Sequence, residues 1–290
     1  MLHESNSLER PPPHGYCVWR TTTSGNSHER PARLVEQSVS NKANSTELSA
    51  GAEHCASGAY EIKFILDEHQ GRDVRNWART HLEPDPHAIP ENGYEYAVNS
   101  LYLDTPGFDI FHRADCFRQN KYRVRRYGNE AVLWAELKRK QNGRVRKRRT
   151  SMTVGDLQSM LIASDDTAWD GDWFRRRVNR LQLRPVCQVT YQRMACVGTS
   201  ALGPLRLTVD SQLHCRPVND WMVPAQPLTA GILLPNQQIL ELKFHETLPN
   251  AFRDLIRDLR LTMAICSKYR HSVEACVSLD RLAGLSRPRF

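Results

Sequence analysis

Twelve basic side chains lie between Lys121 and Arg149: Lys121, Arg123, Arg125, Arg126, Lys138, Arg139, Lys140, Arg144, Arg146, Lys147, Arg148 and Arg149. Only Glu130 and Glu136 oppose them, so the stretch carries twelve minus two, or +10, and the rest of the +8 chain sums to −2. The positive charge is therefore local. A local cationic site calls for a polyanion such as a phosphate chain, a nucleotide or a nucleic acid. Arginine grips phosphate oxygens with a two-pronged fork, and lysine acts on them as a point charge. Nucleic acid is the poorest of these fits, because no aromatics interleave with the charges and no nucleic-acid motif is present.

These residues alternate as strands do. In Tyr60–Leu66, Glu61 and Lys63 share one face while Tyr60, Ile62, Phe64 and Leu66 share the other. Arg123 and Arg125 share a face of Lys121–Tyr127, as do Glu136, Lys138 and Lys140 in Val132–Lys140, and Lys147 and Arg149 in Val145–Ser151. Arg206, Thr208 and Asp210 alternate with Leu205, Leu207 and Val209, and Glu241 and Lys243 alternate with Leu240, Leu242 and Phe244. Pro185–Arg193 ends with Tyr191 and Arg193 on one face, and Ala97–Asp104 forms a further strand. Period two means half-buried strands. For one strand, a charged face simply meets water. For seven or eight with charges of both signs, closing the sheet removes its edges and turns the charged face inward. The expected fold is α+β, an antiparallel β-barrel (a tunnel) of about eight strands with covering helices. Helical spacing places those helices at Asp73–Leu82, Gly155–Ile162, Trp173–Leu181 and Pro249–Met263. Gln141-Asn142-Gly143 and Tyr127-Gly128-Asn129 read as hairpin turns.

The chain's organisation follows from composition. Residues 1–56, rich in Ser, Pro, Asn and Thr without apolar periodicity, read as a disordered tail, residues 57–280 as the tunnel domain, and residues 281–290 as a C-terminal tail. Cys17, Cys55, Cys116, Cys187, Cys196, Cys215, Cys266 and Cys276 form no C-x-x-C pair, and read as reduced thiols of a cytosolic protein. The N-terminus lacks the apolar stretch of a signal peptide, and no apolar run approaches the roughly 20 residues that span a bilayer. A cytoplasmic location is expected, with any membrane association supplied by a partner.

A lumen carrying Lys63, Arg123, Arg125, Lys138, Lys147, Arg149, Arg193 and Lys243 would repel itself strongly if empty. A phosphate chain relieves that repulsion. Glu61, Glu136, Asp210 and Glu241 are then the informative minority: each either pairs with a neighbouring cation or holds Mg²⁺ or Mn²⁺.

Nine motifs occur in order: Glu61-x-Lys63-Phe64, Ser100 to Thr105, Lys121 to Gly128, Glu136 to Lys140, Lys147-Arg148-Arg149, Leu183 to Arg193, Arg206-x-Thr208-x-Asp210, Glu241-x-Lys243 and Ser267-Lys268-Tyr269. Together they resemble the VTC domain, a polyphosphate polymerase module of the triphosphate tunnel metalloenzyme superfamily, from Tyr60 to near Val277. The resemblance implies transfer of the ATP γ-phosphate to a growing polyphosphate chain with Mn²⁺ or Mg²⁺ as cofactor. It implies Arg123, Arg125, Lys138, Arg193 and Lys268 as catalytic, and Lys63, Lys147, Arg149, Tyr191, Lys243 and Ser267 as substrate-binding. Glu241 would bind the metal. ATP and polyphosphate are the implied partners, and export of a product would call for a membrane protein.

Two positions depart from the family pattern. Ile265 stands where the eukaryotic enzymes carry a further lysine, leaving Lys243 or Arg270 to supply the contact. Ala59 stands where the hydrolytic tunnel enzymes place their first glutamate, which favours a polymerase over a triphosphate or polyphosphate hydrolase. A non-catalytic polyphosphate-binding module is the third reading.

Overall fold

Strands that are apolar on one side and charged on the other can bury both faces only by closing on themselves and wrapping the outside in helices. The computed structural model describes residues 58–277 except 89, 161–168 and 230, and it has this arrangement. The strands are β1 (Ala59–Leu66), β2 (Glu83–Pro84), β3 (Glu95–Asp104), β4 (Asn120–Tyr127), β5 (Leu133–Gln141), β6 (Arg144–Met152), β7 (Arg184–Ser200), β8 (Gly203–Pro217) and β9 (Gln238–Phe244). Their order is β7-β3-β4-β5-β6-β1-β9-β8, and β8 pairs back onto β7 to close an eight-stranded barrel. All of these pairings are antiparallel. The short β2 adds to the flank of β7. Among the described residues, no helix is long and apolar enough to cross a membrane.

The helices are α1 (Glu68–His81), α2 (Val154–Ser159), α3 (Asp172–Arg180), α4 (Asn250–Asp258) and α5 (Lys268–Cys276). α1 and α4 cover the outside of β1, β9 and β8: Val74, Ala78, Phe252 and Leu255 pack with Phe64, Leu207, Leu240 and Leu242. On the opposite side Phe174 and Val178 of α3 join Tyr122, Val124, Leu133 and Ala135 in a second core. β5 and β6 are joined through Asn142 and Gly143, both at positive φ (50° and 77°), as the tight hairpin turn requires.

Several boundaries differ from the expectation. α1 begins five residues before Asp73, because Asp67 caps it with a reciprocal Gln70 contact ahead of the first apolar residue. α4 stops at Asp258 rather than Met263, with Arg260 at φ 49° just beyond the helix. β7 and β8 run on past Arg193 and Asp210 as a long hairpin. α2 ends at Ser159, and the part of the expected helix from residue 161 lies outside the described residues, as do both tails.

α5 forms where the apolar periodicity predicts no helix, and it changes the interior. Its Tyr269 ring lies 5.4 Å from Tyr102 of β3, and Cys276 Sγ is 2.6 Å from Cys215 Sγ of β8. A β-bulge explains the apolar surface that receives it. Between Thr190 and Gln192 of β7 the partner strand gains one residue, with Gln212 at φ 50°. Side-chain parity inverts across such a bulge. On one side Arg206, Thr208 and Asp210 face inward; on the other Leu213 and Cys215 do. The barrel interior is therefore charged in one half and filled by a helix in the other.

Candidate functional site

The charged half encloses a cavity of about 190 Å³ lined by ten of the twelve expected site residues: Lys63, Arg123, Arg125, Lys138, Lys147, Tyr191, Arg193, Glu241, Lys243 and Lys268. They come from β1, β4, β5, β6, β7, β9 and the first residue of α5, so strand parity converges all of them but Lys268. Arg149 and Ser267 lie elsewhere. The Arg149 guanidinium stacks 4.6 Å over the Trp134 ring. Ser267 is the N-cap of α5, where its hydroxyl accepts from Arg270 N and receives Lys121 Nζ at 2.9 Å. It lines a second, wider cavity of about 410 Å³. Glu61, Lys63, Lys121 and Lys138 line both cavities and form the neck between them.

Lys121 and Arg206 also line the smaller cavity, although neither was among the expected site residues. The signal for both was in the alternation. Lys121 has the parity of Arg123 and Arg125, and Arg206 that of Thr208 and Asp210. Of the two residues expected to stand in for the lysine missing at Ile265, Lys243 lines the smaller cavity and Arg270 the wider one.

All four minority carboxylates are buried, and each is engaged by cations. Glu61 receives Lys138 Nζ at 2.7 and 2.9 Å and lies 3.5 Å from both Lys63 and Lys243. Glu241 Oε1 accepts from Lys63 at 2.7 Å and from Lys268 at 3.4 Å. Asp210 forms a two-point pair with Arg193 at 2.6 and 2.7 Å and meets Lys268 at 2.5 Å. Glu136 holds Arg123 at 2.7 Å and stands 3.5 Å from Lys147. Burial alone would raise the Glu241 carboxyl, but Lys63, Lys268, Lys138 and Lys243 hold it well below the usual range. Glu61 behaves alike: burial and Glu241 push it up, and three lysines outweigh them. Both carboxylates are ionised at neutral pH.

The cations are still in excess. Ten basic side chains line the cavity; against Glu61, Glu136, Asp210, Glu241 and Asp85, which pairs with Arg206 at 2.7 Å, ten minus five leaves five. Arg125 shows what this means locally. It is 3% exposed, donates to Ser100 Oγ at 3.0 Å and forms no ion pair among the described residues. The buried Tyr191 hydroxyl has no hydrogen-bond partner, while Lys268, Arg193 and Arg125 stand 4.9, 5.3 and 6.0 Å from its ring. Lys121 has a hydroxyl in place of a carboxylate, and burial, then the Lys63 charge, lowers its ammonium to about 7. Buried donors and charges left in this condition are costly unless an anion completes them.

Among the described residues, no three His, Cys, Asp or Glu side chains group as a metal cage. The donors present suit a hard cation held by one or two carboxylates and completed by phosphate oxygens. Lys63 and Lys268 both contact Oε1 of Glu241, so Oε2 is the oxygen available to such an ion.

Solved structures similar to this chain include an adenylate cyclase candidate from Bacillus halodurans (12% identity, 73% of this chain and 94% of that one, TM-score 0.44). A Hippeastrum adenylyl cyclase candidate with a dominant triphosphatase activity matches at 13% identity over 76% and 97%, TM-score 0.43. A Pyrococcus horikoshii OT3 protein matches at 11% identity over 74% and 99%, TM-score 0.41. At these scores the likeness carries no argument of its own, and no curated protein matches the sequence. The family comparison is different in kind: the VTC domain model matches residues 58–277, the whole described barrel with its helices, and the chain belongs to that family.

Proposed function

We propose that this domain is a polyphosphate polymerase-like phosphotransferase that passes the γ-phosphate of ATP to a polyphosphate end inside the barrel. The observation that supports this reading best is the surplus of five cations around the cavity, with Arg125 and the Tyr191 hydroxyl buried there without an anionic partner. Phosphoryl transfer asks a protein mainly to position its substrates and stabilise charge. Arg123, Arg125, Arg193 and Lys268 would hold the transferring group, and Lys63, Lys138, Lys147 and Lys243 the flanking phosphates. A terminal oxygen of the acceptor attacks Pγ, a new P–O bond forms, and the bond from Pγ to the β,γ-bridging oxygen breaks as ADP leaves with its electron pair. The attacking oxygen is already ionised, so no general base is needed. Glu241, with Glu61 beside it, would hold Mg²⁺ or Mn²⁺, which when bound would neutralise phosphate charge.

The test is incubation of the full chain with ATP and Mn²⁺, followed by sizing of the product on a gel. Phosphate chains of increasing length are expected. Release of orthophosphate alone would make the domain a hydrolase, and binding without turnover would make it a polyanion-binding module. Glu241→Gln should abolish metal-dependent turnover; wild-type rates in that variant would sink the metal assignment.

A further inference from the structure

The two cavities that meet at the neck have different walls. The smaller, at about 190 Å³, is below the usual size of a small-molecule site and is lined mostly by cations and tyrosines. The wider, at about 410 Å³, falls within that size range. It adds Arg113, Arg118, Lys140 and Arg270 to the shared neck cations. It also has an apolar part that a phosphate chain cannot use, from Ile62, Ile110, Met263, Ile265 and Tyr269. Met263 and Ile265 line it while 68% and 92% exposed, so they form its rim.

The backbone holds that rim in place. Ala264, between them, donates its N–H to Lys63 O at 2.8 Å, and Met263 bridges Phe64 on β1. Two apolar residues so anchored at the mouth of a cationic chamber suit a ligand with a flat apolar body and an anionic tail. Arginines nearby complete such a site, because a guanidinium stacks on planar rings as readily as it pairs with phosphate.

Building on the phosphotransferase reading, we propose that the wider cavity is the nucleoside subsite. The base rests on Met263 and Ile265 within reach of Arg113 and Arg118, and the triphosphate points through the neck at Lys63, Lys121 and Lys138. The growing chain then occupies the smaller cavity. Ile265 is accordingly a specificity-determining contact for the donor.

Equilibrium binding of ATP and of inorganic tripolyphosphate to the full chain tests this, since the two ligands share the tail and only ATP has the base. The Met263→Ser/Ile265→Ser variant should lose about tenfold for ATP, the order expected from two buried apolar contacts, with tripolyphosphate changing less than about twofold. Ile265→Lys should tighten tripolyphosphate more than ATP. Equal losses for both ligands, or unchanged ATP affinity in the serine variant, would overturn the subsite. Failure of the wild type to make polyphosphate would instead overturn the polymerase reading, and would leave this difference in binding intact.

Discussion

The two halves of the barrel interior are built from the same strands and obey opposite rules. On the side of β7 and β8 that holds Arg193 and Asp210, the lining is charged and carries five more cations than the carboxylates that engage them. Past the bulge at Gln212, Leu213 and Cys215 of β8 face α5, whose Tyr269 and Val273 are 2% and 0% exposed. The second half is ordinary core, where burial of apolar surface favours folding at roughly 25 cal/mol per Å². The first half opposes folding, because each cation loses hydration and too few carboxylates return it. A chain keeps such a region for what it binds. The apolar half, in contact with the site through Lys268 at the start of α5, supplies the stability that the charged half consumes.

Substitutions that separate the two halves should therefore separate stability from binding. The largest effect is expected in the apolar half. Tyr269→Ala removes a ring packed against Tyr102 and the hydroxyl that bonds the buried Asp104 carboxylate, and should cost about 3–5 kcal/mol, as other large aromatic truncations do. Urea unfolding measures it, and a loss below about 1 kcal/mol would deny α5 its structural role. In the charged half, Arg125→Met should leave the urea midpoint unchanged or raise it, because Arg125 has no ion pair to lose. The same variant should weaken tripolyphosphate binding by about 10–100-fold, the range for one charge-assisted hydrogen-bond set. A strongly destabilised Arg125→Met with intact binding would reverse the comparison.

How much of this could be read from the sequence follows the same division. Strand alternation is a local signal, and it suffices to put Lys63, Arg123, Lys138 and Glu241 in one lumen without knowledge of their partners. The apolar half was not legible. It depends on a single extra residue at Gln212, whose left-handed backbone no side-chain pattern announces, and on α5. That helix opens on Lys268 and carries polar residues among its buried ones, because its N-terminus enters the charged lumen while Val273 faces core. Apolar periodicity fails where one element must satisfy two environments. Ser267 is a related case: its place in the Ser267-Lys268-Tyr269 motif implies substrate contact, and its hydroxyl, on the wall of the wider cavity, also caps α5 and receives Lys121, which the motif does not announce.

Lys121 sharpens the comparison through pH. Glu61 on β1 and Glu241 on β9 favour its charged form, while Lys63 on β1 and Arg123 on β4 oppose it, and burial dominates to give a value of about 7. A phosphate oxygen at the neck would favour the ammonium, so the complex holds more protons than the free protein above pH 7. Affinity for tripolyphosphate should then fall as pH rises from about 7, by at most about tenfold per unit from this one group. Lys121→Met should make the profile shallower by up to that amount, with the ligand's own titration common to both proteins. Identical slopes would show that Lys121 stays charged throughout.

The smallest effect is expected at the boundary between the halves. Gln212 holds φ at 50°, a conformation that glycine adopts without the steric cost borne by other residues. Gln212→Gly relieves that cost but gives the unfolded chain more freedom, so the net gain should be below about 1 kcal/mol. The side chain is exposed and has no hydrogen-bond partner among the described residues, so little else is lost. Gln212→Val, β-branched and ill-suited to this backbone, should destabilise by about 1–2 kcal/mol. If the bulge is what switches the lining from charged to apolar, tripolyphosphate affinity should stay constant in the glycine variant. In the valine variant binding and stability should fall together, because moving the bulge shifts Asp210 out of register with Arg193. A valine variant that loses stability while keeping wild-type affinity would show that the two halves hold their registers independently.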